Sequence, residues 1–89
     1  MEAWARRHRV KQVALFGSAA RGRLRRASDV DVVVELGPDA GVGLFEHVEM
    51  EEELERIFGR PVDLGTWASM KPSVREQAER DAVVLYEAG

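Results

Sequence analysis

The chain contains no cysteine and no apolar stretch long enough to cross a bilayer. Without cysteine, the sequence excludes disulfides, thiolate catalysis and zinc sites built on cysteine. Any metal ion must therefore bind oxygen ligands or the two histidines, and oxygen ligands favour magnesium or manganese. The charged residues at positions 1–9 also lack the apolar core of a signal peptide, so we expect a cytoplasmic protein with no membrane association.

Positive charge is also in short supply. The chain has 13 basic and 16 acidic residues and a net charge of -3, which argues against general nucleic-acid binding. The charge is uneven, with basic clusters at positions 6–11 and 21–26 and an acidic segment at 46–55. Solvated surfaces are the simplest interpretation of such clusters.

The chain is too short for a separate substrate-binding lobe. Its 89 residues support one hydrophobic core, and we find no internal repeat or linker that would divide it. We therefore expect residues 1–89 to form one domain, which folds alone or as a homo-oligomer.

Hydrophobic patterning predicts four helices alternating with four strands, at residues 13–16, 29–35, 61–64 and 82–86. The longest helix ends at Gly59 and has an apolar stripe formed by Leu44, His47, Met50, Leu54, Ile57 and Phe58. Because His47 lies on this stripe, we expect it to be a packed core histidine. Ser73 and Glu76 resemble a capping box that opens the last helix.

Asp29 and Asp31 alternate along a valine-rich predicted strand. Alternate side chains of a strand share one face, which places these two carboxylates some 6 to 7 Å apart at the backbone. Such a pair can share metal ions, and without a cation the two charges repel each other and are costly to desolvate. The alternative is a strand whose solvent-facing side happens to carry Asp29, Asp31 and Glu35.

Gly17 and Ser18 stand between a predicted strand and a short predicted helix. A glycine here lets the backbone approach a phosphate, while Ser18 and the amides of the helix start donate hydrogen bonds. A Gly-Ser pair alone marks many ordinary turns. Its separation from Asp29 by ten residues makes the combination informative.

Residues 15–22 (LFGSAARG) and 28–34 (SDVDVVV) closely resemble the minimal nucleotidyltransferases of the polymerase-beta-like superfamily, described by Gly-Ser-x10-Asp-x-Asp. Asp63, within RPVDL, matches the strand that supplies the third carboxylate of that superfamily, and residues 71–72 and 82–86 resemble its closing segment. The resemblance covers nearly the whole chain. It implies an α+β nucleotidyltransferase fold, with a short mixed β-sheet and helices packed mainly against one face.

The resemblance also implies an activity, the transfer of a nucleotide, usually AMP from ATP, to an acceptor with release of pyrophosphate. Asp29 and Asp31 would bridge two magnesium ions, and Asp63 would hold the acceptor hydroxyl. Gly17 and Ser18 would bind phosphate, and Arg21 or Arg23 would neutralise the leaving pyrophosphate. The alternatives are a chance aspartate at a strand end for Asp63 and solvated positions for the two arginines.

Free-standing domains of this type resemble the antitoxin of a pair whose toxin is a small all-helical HEPN-type protein. The implied reaction is AMP transfer to a tyrosine hydroxyl of that partner. Two rival functions remain open, namely transfer to a small molecule such as an aminoglycoside, and a nucleotide-binding module that neutralises a partner by contact without turnover.

Four apolar or aromatic side chains are ambiguous from sequence. Phe45 and Val48 lie off the apolar stripe of their helix, so they form either a docking surface or a second core. Trp67 and the loop at residues 37–41 are further candidates for docking. Trp4 and Trp67 can also stack a nucleotide base, although tryptophan more often packs within a protein or anchors an interface.

Overall fold

A computed structural model describes residues 1–20 and 29–88, with the backbone alone at positions 18 and 19. The helices and strands follow the predicted alternation. In chain order they are α1 (Glu2–Arg7), β1 (Val10–Phe16), α2 (Gly17–Ala20), β2 (Val30–Leu36), α3 (Leu44–Phe58), β3 (Val62–Thr66), a 3-10 turn (Trp67–Ser69), α4 (Pro72–Asp81) and β4 (Val83–Glu87).

The four strands form one mixed sheet in the order β3-β2-β1-β4. β1 pairs antiparallel with both β2 and β4, whereas β2 and β3 run parallel. A parallel pair needs a crossover connection, and α3 provides it. α3 runs back from the end of β2 to the start of β3. Its C-terminal end therefore lies at the end of the sheet where both of these strands begin. This arrangement confirms the predicted α+β fold with a short mixed sheet.

The main core lies between one face of the sheet and the helices α1 and α3. Alternate residues of β2 supply Val30, Val32 and Val34, which are at most 2% exposed, and α3 supplies Met50 and Leu54. α4 lies over the opposite face, where it contacts β1 and α2. The two helices of the main core are thus on one face as predicted, and α4 covers part of the other.

Some predicted details of the helices are wrong. Leu44 and Ile57 are 75% and 52% exposed, so the buried stripe of α3 is narrower than predicted and is centred on Met50 and Leu54. The predicted capping box is absent, since α4 begins at Pro72 with Lys71 at its N-cap and no side-chain cap. A proline at the first helical position opens the helix with its fixed φ angle.

The prediction that His47 is a core histidine is also wrong. Its side chain is 39% exposed and lies 3.7 Å from Glu51, one turn along the same helix. The buried histidine is instead His8, 6% exposed, at the turn between α1 and β1. Within the described part of the chain, no helix has the length and apolar character needed to cross a membrane.

Candidate functional site

Three carboxylates meet on the sheet face opposite the main core. Asp31 lies directly across from Asp63 in the parallel pairing of β2 with β3. Asp29 immediately precedes β2, two residues before Asp31, and therefore projects from the same face. The structure thus brings the three carboxylates that the sequence singled out to one sheet face, where two neighbouring parallel strands begin.

The electrostatic environment of Asp31 reflects both its burial and the two neighbouring carboxylates. Burial and the neighbouring charges of Asp63 and Asp29 together raise the pKa of the Asp31 carboxyl above its ordinary value of 3.8. Burial and nearby like charges both disfavour the ionised form of an acid. A cation at this position would act in the opposite direction and favour the ionised form of Asp31.

Gly17 closes over the Asp31 side chain at the junction of β1 and α2. Its φ angle is +67°, and a Cβ atom built on it would stand 2.7 Å from Oδ2 of Asp31. Only glycine adopts this backbone conformation without strain while leaving room for the carboxylate. The missing side chain therefore keeps the backbone of α2 next to Asp31, which places a potential phosphate contact beside potential metal ligands.

The donor set of this site fits magnesium, because it consists of carboxylate oxygens next to an open backbone turn. Within the described ranges, no three acidic or histidine side chains are already drawn together as a compact metal-binding group. A cation at this position would offset the repulsion between the carboxylates, so that their oxygens could bind it together.

A cavity of about 390 Å³ adjoins Gly17 between the end of β1 and α4. Phe16, Val74 and Ala78 give it an apolar wall, and Gln77 and Asp81 add polar groups. This cavity was not predicted from the sequence. The signal was present in α4, where Val74 and Ala78 are four residues apart and so share one helix face.

The remaining candidate residues either lie outside the described part of the chain or are packed against the protein itself. Arg21, Arg23 and the side chain of Ser18 lie outside the described residues. Trp4 is 3% exposed within the core, which excludes base stacking by its ring. The indole N–H of Trp67 donates to Oε1 of Gln12 at 2.9 Å, so this half-buried ring is fixed against the sheet.

Known proteins resemble this chain in sequence and in fold. A family model described as a nucleotidyltransferase domain matches residues 1–85. The protein adenylyltransferase MntA of Thermococcus cleftensis is 34% identical over 76 residues, which are 85% of this chain and 75% of that protein.

Two solved structures share the fold. A crystal structure of a toxin-antitoxin with AMP-PNP superposes with a TM-score of 0.78 at 24% identity, over 98% of this chain and 70% of that one. A tri-AMPylated Shewanella oneidensis HEPN toxin in complex with an MNT antitoxin gives a TM-score of 0.69 at 20% identity, over 98% of this chain and 66% of that one. At these identities the two likenesses establish the fold alone.

Proposed function

Because this chain belongs to the nucleotidyltransferase domain family, we propose that it transfers AMP from ATP to a hydroxyl group of a partner protein. The observation that carries the proposal is the meeting of Asp29, Asp31 and Asp63 on one sheet face beside the Gly17 turn. A phosphate-binding turn next to three carboxylates is the arrangement that metal-assisted transfer of a nucleotide requires.

Asp29, Asp31 and Asp63 would hold two magnesium ions. When bound, the ions neutralise the triphosphate and lower the pKa of the acceptor hydroxyl. Asp31 lies across from Asp63 and next to Gly17, and it would hold the ions together with Asp29. The backbone at Gly17 and Ser18 would donate hydrogen bonds to phosphate oxygens, and Arg21 or Arg23 would neutralise the leaving group.

In the proposed reaction, the acceptor hydroxyl oxygen attacks the α-phosphorus of ATP. The bond from that phosphorus to the oxygen bridging it to the β-phosphate breaks, and pyrophosphate leaves. The hydroxyl proton passes to Asp63, whose side chain is exposed on the outer strand of the sheet. This position leaves room for an acceptor to approach from solvent.

The acceptor we propose is a tyrosine hydroxyl of a small all-helical HEPN-type protein, with this chain as the antitoxin. The name of the Thermococcus relative supports protein adenylylation, and the AMPylated HEPN toxin of Shewanella supports the partner. The AMP-PNP complex supports an adenine nucleotide as the donor.

The test combines the purified chain, a HEPN-type partner, magnesium and ATP labelled at either the α- or the γ-phosphate. We expect α-label on the partner and no γ-label. Tight binding of the partner with no transfer of α-label would instead indicate a module that acts by contact.

Asp63→Asn separates binding from chemistry. We expect it to bind Mg-ATP like the parent and to transfer AMP at least about tenfold more slowly, because the variant loses the proton acceptor. Glu2→Gln, which removes an exposed carboxylate on α1, is the control. Equal losses of binding and transfer in Asp63→Asn would show that Asp63 is needed to bind Mg-ATP itself and does not act only on the acceptor side.

A further inference from the structure

β3 is an outer strand of the sheet, yet two of its outward backbone N–H groups already have partners. The N–H of Val62 donates to Oε2 of Glu55 at 3.1 Å, and the N–H of Leu64 donates to Oε2 of Glu51 at 3.3 Å. An outer strand normally leaves such groups open to water or to another chain. Here two carboxylates of α3 close them.

The spacing of these contacts follows from regular geometry. Glu51 and Glu55 are four residues apart, which is about 6 Å along a helix, and Val62 and Leu64 are two residues apart, which is about 6.6 Å along a strand. α3 runs antiparallel to β3, so the later glutamate meets the earlier strand residue. The distance between the two glutamates along α3 therefore matches the distance between the two N–H groups along β3.

Asp63 lies between Val62 and Leu64, the two residues whose N–H groups donate to the glutamates of α3. The side chains of Val62 and Leu64 are each 5% exposed and point into the main core. The side chain of Asp63 projects from the other face, opposite Asp31. Movement of β3 away from β2 or along it would displace Asp63 from Asp31, and the two glutamate contacts resist both movements.

We propose that Glu51 and Glu55 are positioning residues, which fix the backbone on both sides of Asp63 and thereby hold its carboxylate across from Asp31. A carboxylate acceptor makes a stronger hydrogen bond to a backbone N–H than a neutral oxygen does. The catalytic part of this inference depends on the proposed role of Asp63 in AMP transfer, whereas the positioning itself does not.

The test compares three double variants. Glu51→Ala with Glu55→Ala removes both acceptors, while Glu51→Gln with Glu55→Gln keeps an acceptor oxygen without the charge. Glu2→Ala with Glu76→Ala is the control, because these exposed glutamates lie on α1 and α4, away from Phe45 and Val48, and their loss changes the charge equally. Thermal unfolding first establishes that each variant is folded.

For the alanine pair we expect amide hydrogen exchange at Val62 and Leu64 to accelerate at least about tenfold. We expect kcat for AMP transfer to fall by roughly ten- to a hundredfold, the range for a small misplacement of a reacting group. Mg-ATP binding should stay within about twofold of the parent, because Asp29, Asp31 and Gly17 are untouched. The glutamine pair should recover most of kcat, and the control pair should match the parent.

Three results would overturn the proposal. They are unchanged amide exchange in the alanine pair, faster exchange with an unchanged kcat, and an equal fall of kcat in the control pair.

If the parent itself transfers no AMP, the proposed function fails, and the positioning is judged on a magnesium titration of the Asp63 carboxyl carbon by NMR. Weaker magnesium response in the alanine pair, recovered in the glutamine pair, would support positioning. An identical response in all variants would refute it.

Discussion

Asp31 is the residue where the electrostatic cost of the site is concentrated. Its burial, with the charges of Asp63 and Asp29 in addition, raises its pKa in the folded protein. An acid that binds its proton more tightly when folded destabilises the fold once it ionises. The metal-free protein should therefore lose stability as the pH rises above 3.8 and through the raised pKa of Asp31.

Asp31→Asn should abolish Mg-ATP binding and stabilise the metal-free fold. The asparagine cannot supply the anionic ligand, and it relieves repulsion by no more than about 1 kcal/mol because solvent screens the group. Calorimetry measures the binding, and unfolding without metal as a function of pH measures the stability. Mg-ATP binding like that of the parent would refute the metal assignment, and a clear loss of stability would indicate a structural role for Asp31.

Gly17→Ala tests the close approach of the α2 backbone to Asp31. The new Cβ would need to displace Oδ2 of Asp31 from a 2.7 Å contact, at a φ angle of +67°. We expect a loss of about 1–2 kcal/mol in unfolding free energy from the left-handed backbone alone, and weaker Mg-ATP binding. Gly41→Ala is the control, because its Cβ would meet open space. Parent-like nucleotide binding in Gly17→Ala would show that this approach is not needed.

At the level of elements, His8 joins α1 to α3. Its Nδ1 lies 3.2 Å from Oε1 of Glu46, and its Nε2 lies 2.6 Å from Oε1 of Glu53. A neutral imidazole carries one N–H, so both nitrogens donate only when the ring is protonated. Arg7 also pairs with Glu53, and the ring of Trp4 lies 5.3 Å from that of His8. These polar contacts thus hold α1, a short helix with few core residues, against α3.

The contacts of Glu53 with His8 and Arg7 predict how the unfolding free energy changes at acidic pH. Burial acts to raise the pKa of Glu53, but the hydrogen bond from His8 and the charge of Arg7 outweigh it and lower the pKa below 4.5. Stability from this pair is therefore present above pH 4.5 and is lost as the pH falls through the lowered pKa.

His8→Gln should lower the unfolding free energy by about 1–3 kcal/mol at neutral pH and should flatten the acid loss. Unfolding by urea across this pH range measures both effects. The exposed His47→Gln is the control, with little change expected. An acid dependence as steep as that of the parent would show that His8 does not hold Glu53.

On the scale of the whole molecule, sequence patterns predicted the order of elements and the meeting of Asp29 and Asp31, because strand alternation is a local rule. The position of Asp63 came from a family resemblance, and the strand register then placed it opposite Asp31. Contacts between side chains of different helices and strands could not be predicted from the sequence. The contacts of His8 with α3, and the hydrogen bond from the Val62 N–H to Glu55, depend on how α3 packs against α1 and β3. No local periodicity of the sequence encodes that packing.

The surface expected to dock a partner is exposed, but it lies far from the carboxylates. Phe45 and Val48 are 91% and 46% exposed, which excludes a second core. They belong to the first turns of α3, a helix of 15 residues and thus about 22 Å long, whose other end is near the start of β3. A partner that places its acceptor at Asp63 while contacting Phe45 must therefore extend along α3.

Replacing Phe45 and Val48 with serine should weaken association with a helical partner by about 1–3 kcal/mol, the range for losing modest apolar anchors. Mg-ATP binding should not change, because the site lies at the opposite end of α3. Ile57→Ser, an exposed apolar residue near that opposite end, is the control, and we expect it to weaken association less. Calorimetric titration with the partner measures the affinities, and thermal unfolding measures stability. If the double variant melted far below the parent yet kept its affinity, Phe45 and Val48 would support the fold, and the docking surface would lie elsewhere.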